Sequence, residues 1–139
     1  MIIIPGMNVT QADLRFLYLL RGAWAGGADR AAAEGSLRAE PGRAAGRVAA
    51  WSLRRAVASL GQGARRRLIV GESLAPSADE RRLIAAARQL SQGEARAAED
   101  TLAWLVRAPF AGLVADALRE GACAAYGYAA PRRAKAASA

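Results

Sequence analysis

The chain has 139 residues, a length that fits one domain, and its 20 Lys+Arg against 12 Asp+Glu give a net charge of +8. Hydrophobic residues make up 53% and charged residues 23%, which marks a folded rather than a disordered chain. There is no histidine and one cysteine, which excludes a histidine-based triad, an imidazole metal site, a zinc finger and a disulfide framework.

The start, Met1-Ile2-Ile3-Ile4-Pro5, has no basic region before its apolar run and does not read as a secretory signal. Thr10-Gln11-Ala12-Asp13 is a capping-box-like start and predicts a first helix over 10–21 that buries Leu14, Phe16, Leu17 and Tyr18. Residues 22–40, rich in Gly and Ala, are expected to form a flexible connection with at most a helical turn near Ala31–Glu34. Pro41 suits the first turn of a second helix over 41–60, which has Gly61 and Gly63 as stop signals and Ala49, Leu53, Ala56, Val57 and Leu60 on its apolar face. The following run, Arg65-Arg66-Arg67-Leu68-Ile69-Val70, reads equally as an extended piece or as a short buried segment.

Ser77-Ala78-Asp79-Glu80 is a second capping box and opens a helix over 77–92. A fourth helix is expected over 94–107 and a fifth over 109–124, started by Pro109. The fifth carries a stripe of Phe110, Leu113, Val114, Ala117 and Leu118, which either closes the bundle or forms a seam with a second copy. Residues 129–139, basic and without large apolar side chains, are expected to be a disordered tail. No repeat stands out at a period of about 20–50 residues. The fold class is therefore all-α: one small domain, 1–128, of about five helices.

No run reaches the roughly 18 apolar residues that span a bilayer. The lone Cys123 fits the reducing cytoplasm and reads as a small buried residue. The chain contains 37 alanines and one lysine, Lys135, the Ala/Arg bias that a GC-rich bacterial genome produces.

Candidate chemistry is sparse. Gly71-Glu72-Ser73-Leu74-Ala75 brushes against a nucleophile elbow, but no histidine exists to complete a triad. The acid pairs Asp79/Glu80, Glu99/Asp100 and Asp116/Glu120 are explained by a helix start or a solvated face. No G-x-G-x-x-G or P-loop pattern follows a strand; Gly61-Gln62-Gly63 before Arg65 reads equally as a phosphate contact or as a helix stop. No catalytic residue, cofactor or metal is expected.

The basic run is the feature that stands out. Between Pro41 and Gly71 the chain has Arg43, Arg47, Arg54, Arg55, Arg65, Arg66 and Arg67 and no acid. At about 100° per residue, Arg43, Arg47 and Arg54 share one arc of the second helix, away from Leu53, Val57 and Leu60, with Trp51 at its edge. Guanidiniums hold phosphates by charge-assisted bonds, and an indole beside them can stack on an unpaired base. The segment from Leu90 to Leu105 is a poor helix-turn-helix, because Glu94, Glu99 and Asp100 would meet phosphate at the start of the recognition helix. The expectation is a small non-enzymatic regulator or accessory factor that contacts DNA or RNA through this face. The alternative is an adaptor that binds an acidic protein, or self-associates as a homodimer through Phe110, Leu113, Val114 and Leu118.

Overall fold

The computed structural model describes residues 2–4, 7–39 and 43–127. Within them the chain is mostly helical: a two-stranded antiparallel hairpin, β1 (Ile2–Ile4) and β2 (Met7–Val9), precedes six helices. These are α1 (Gln11–Ala25), α2 (Gly27–Arg38), α3 (Arg43–Gly63), α4 (Ala78–Ser91), α5 (Ala95–Leu102) and α6 (Ala108–Tyr126). The expected tail, 129–139, lies outside the described residues.

One core draws on all six helices, with Phe16, Leu20, Leu60, Leu83, Ile84, Leu102, Val114 and Leu118 fully enclosed. Helices α3 and α6 run antiparallel side by side. Ser52 Oγ donates to the Ala117 carbonyl, and Leu53 and Phe110 press against Gly121 and Gly63, where any Cβ would overlap them.

The expected flexible connection is instead helical. Helix α1 continues to Ala25, the chain turns through Gly26 and Gly27 at φ 73° and 55°, and α2 follows. Alanine is the strongest helix former, but a short helix in water gains most of its stability from packing. That packing is unusually close. A Cβ on Gly22 of α1 would lie 2.6 Å from Ala33, and a Cβ on Gly46 of α3 would lie 2.5 Å from the Leu37 carbonyl oxygen. Glycines in the neighbouring helices thus let a helix with few large side chains seat against both.

Two other boundaries differ from expectation. Helix α3 runs through Gly61 to Gly63 rather than stopping at Leu60. Helix α5 ends at Leu102, not near 107, because 103–107 turns back toward the end of α3. Arg65 N–H donates to the Leu105 carbonyl at 2.9 Å and Arg107 N–H to the Gly63 carbonyl at 2.8 Å, pairing Ala64 with Val106.

Both capping boxes form, and each acid in them has a second task. Asp13, at the start of α1, accepts Arg88 Nε at 2.9 Å and Arg88 Nη2 from the far end of α4. Glu80, at the start of α4, accepts Arg21 Nε at 2.7 Å and Arg21 Nη2 at 2.9 Å from α1. The same arginines reach backbone carbonyls, Arg88 that of Asn8 at 3.0 Å and Arg21 that of Ala75 at 3.5 Å. Asn8, Thr10, Asp13 and Arg21 correspond to Ala75, Ser77, Glu80 and Arg88 at one constant offset along the chain. Phe16, Leu17, Leu19 and Leu20 correspond in the same way to the equally buried Leu83, Ile84, Ala86 and Ala87. Helices α1 and α4 are therefore matching units locked by a reciprocal clasp, a correspondence far longer than the repeat periods sought in the sequence.

Burial works to raise the Asp13 carboxyl, but the Arg88 fork, the Thr10 N–H and the Tyr126 hydroxyl outweigh it and hold the group down at about 2. Glu80 is lowered in the same way, burial being outweighed by Arg21 and the N–H groups of Ser77 and Gly71. A carboxylate depressed on folding contributes stability above its unfolded value, and the contribution is lost as pH falls through the folded value. Urea unfolding measured against pH should therefore show a plateau near neutrality and a decline that begins near the ordinary values of 4.5 and 3.8 and continues to about 2. Asp13→Asn should flatten that acid limb; an unchanged limb would remove Asp13 from the account.

Candidate functional site

Helix α3 turns Arg47, Val48, Trp51, Arg54 and Arg55 to solvent and buries Ala49, Leu53, Ala56, Val57 and Leu60. The apolar periodicity seen in the sequence thus fixes which residues face out. Trp51, 60% exposed, sits in the middle of this outward face rather than at the edge of an arginine arc. The Arg55 guanidinium lies 4.6 Å from its ring centroid. The Arg43 side chain lies outside the described residues.

The absence of acids along 41–71 does not carry over into space. Glu34, on the helix that replaced the expected connection, accepts Arg54 Nε and Nη2, each at 2.6 Å, and has Arg38 at 3.9 Å. The Arg54 fork holds the Glu34 carboxyl below its ordinary value. Asp79 accepts Arg66 Nη2 at 2.6 Å and Nη1 at 3.0 Å, and the Ile69 N–H at 2.8 Å, and it too is lowered, chiefly by Arg66. Arg67 pairs with Glu72, an exposed contact that is worth little. Arg65 donates through Nε to the Ala103 carbonyl at 2.9 Å.

Two arginine groups result. Arg38, Arg47, Trp51 and Arg54 line, with Glu34 and Ala50, a shallow depression of about 220 Å³ between α2 and α3, and Arg55 sits over the Trp51 ring. Arg65, Arg66 and Arg67 follow the end of α3, about 18 Å of helix from Trp51 at 1.5 Å per residue. Because α3 runs straight through Gly61, the chain does not double back to join the two groups. Arg47, Arg55 and Arg65 have no carboxylate partner among the described residues.

Several groups of this surface carried no signal in the sequence. Glu34 and Arg38 were hidden in the supposed connection. Trp104, 68% exposed just past α5, has Arg82 of α4 4.6 Å from its ring centroid. A second cleft, of about 440 Å³, lies between α1, α2 and the 70–74 segment, with Leu17, Tyr18, Trp24 and Leu74 among its walls.

Of the apolar stripe on the last helix, Val114 and Leu118 are fully buried, Phe110 is half-buried against Gly63, and Leu113 is 54% exposed. The stripe closes the bundle, and Leu113 stands outside it. Burial raises the Cys123 thiol and leaves it a poor nucleophile. Among the described residues no group of acids and cysteines gathers to hold a metal ion, and no helix is long and apolar enough to cross a membrane. The chain matches no known protein family, no characterised protein and no solved structure.

Leu113→Asp should leave helix content intact and stability within about 0.5 kcal/mol of wild type, as surface changes do. Leu118→Ala should cost about 2–5 kcal/mol. Circular dichroism with urea titration separates the two, and equal effects would contradict this placement.

Proposed function

We propose that this protein is a small non-enzymatic accessory factor that contacts nucleic acid through the outward face of α3. The observation that carries the reading is Trp51, a large exposed indole set among Arg38, Arg47, Arg54 and Arg55 with Glu34 as the single carboxylate of the depression. Glu34 is already forked by Arg54, so the face keeps a net positive charge beside a flat apolar ring. Phosphates suit the guanidiniums and a base suits the indole. The part of the reading that leaves out catalysis is supported by the state of the buried acids. Asp13, Glu34, Asp79 and Glu80 are all held below their ordinary values by arginine, which is opposite to the raised value a general acid needs. A cytoplasmic, bacterial setting agrees with the buried lone cysteine and the Ala/Arg bias.

A second reading, an adaptor for an acidic protein, is favoured by Val48, which is exposed at 46% beside Trp51 and gives the face an apolar centre. Self-association through the last helix retains only Leu113 and the edge of Phe110, since Val114 and Leu118 are enclosed.

Salt titration of binding to labelled mixed-sequence DNA and RNA tests the proposal. The variant to compare is Arg47→Gln with Arg55→Gln, because removing Arg54 would strand the buried Glu34. Log affinity should fall linearly with log salt, and the variant should flatten the slope by about 0.7–0.9 for each phosphate it no longer neutralises. No binding to either nucleic acid near about 50 mM salt would transfer the face to the protein partner.

A further inference from the structure

We infer that the nucleic acid is single-stranded and that it is held by two arginine-backed indoles, Trp51 and Trp104, acting as stacking platforms. The inference rests on the nucleic-acid reading above and adds the substrate class and a second contact point.

The two indoles share a geometry. Each is mostly exposed, at 60% and 68%, and each has a guanidinium 4.6 Å from its ring centroid, Arg55 for Trp51 and Arg82 for Trp104. A guanidinium over one face braces the ring by cation–π attraction and leaves the remaining surface to solvent. Each indole also has a further arginine close by that no carboxylate among the described residues engages. Arg47 lines the depression beside Trp51, and Arg65 is bonded to the carbonyl of Ala103, the residue before Trp104. A ring for a base and a cation for its phosphate thus occur twice. The pairing of Ala64 with Val106 fixes the second set at the end of α3, and the helix separates the two sets along its axis.

A duplex cannot use these rings. Its base faces are covered by their stacked neighbours, so an indole would meet only base edges, sugars and phosphates, and its one polar group is an N–H donor. Groove reading is also obstructed. The major groove is about 12 Å wide and admits one helix. Here α2 is seated tightly beside α3, through the close approach at Gly46 and the Arg54–Glu34 fork. An unpaired strand offers bare base faces and bends to reach both platforms.

The experiment uses the full chain with a labelled oligothymidylate of about 12 nucleotides, within the usual single-strand site range, and a duplex of the same length. Trp51→Leu, Trp51→Phe, Trp104→Leu and Trp104→Phe are compared with wild type, and circular dichroism verifies their folding. The expected result is tighter binding of the single strand, weakening of about 5- to 150-fold with each Leu variant, and near-wild-type binding with each Phe variant. If the duplex binds as well as the single strand, or if either Leu variant stays within about twofold, the inference is overturned while the nucleic-acid reading survives. If neither probe binds wild type, the reading itself fails and takes the inference with it.

Discussion

Among the described residues four carboxylates, Asp13, Glu34, Asp79 and Glu80, are buried, and each is met by both arms of one guanidinium. An unpaired buried carboxylate is too costly to keep charged. The four matching arginines, Arg88, Arg54, Arg66 and Arg21, are therefore fixed in place. Much of the architecture follows from those pairings. Asp13 and Glu80 clasp α1 to α4, and Glu34 ties α2 to α3. Asp79 and Glu80 also pin the segment between α3 and α4, by accepting the N–H groups of Ile69 and Gly71. Apolar side chains of equal volume would hold such positions about as firmly. The forks add registry, since each bond pair fits only one alignment of two helices.

The same constraint sorts the chain's excess of arginine. Arginines engaged by buried acids are parts of the scaffold, and changing them disturbs folding before it disturbs any partner. Of the others, Arg47, Arg55, Arg65 and Arg82 lie around the two exposed indoles. A composition that reads as diffuse positive charge is, in space, four internal pairs and a larger set of outward cations, of which these four border the indoles.

What the sequence disclosed depended on where each signal lies. Ser77-x-x-Glu80 and Thr10-x-x-Asp13 are local, and both helix starts fell where those residues placed them. The buried face of α3 was legible because Ala49, Leu53, Ala56, Val57 and Leu60 repeat with the helical period. Helix α2 was not legible, because it is held by the absence of side chains on Gly22 and Gly46 of other helices. The charge balance around α3 was misjudged for a related reason. Glu34 and Asp79 lie 20 and 13 residues from the arginines they neutralise, and local counting cannot pair them. The α1–α4 correspondence escaped notice because Arg21 and Arg88 gain their meaning only when each is seen beside the other helix's capping acid.

A double-mutant cycle at the clasp tests the account most directly. Urea unfolding would be measured for wild type, Asp13→Asn, Arg88→Met and the double variant. If the clasp fixes the two helices, Arg88→Met alone should cost about 3–5 kcal/mol by stranding Asp13. The double variant should then recover part of that stability, with a coupling of about 2–3 kcal/mol. Single effects that add within about 0.5 kcal/mol would contradict the account. They would show that the bundle is aligned by its apolar core alone.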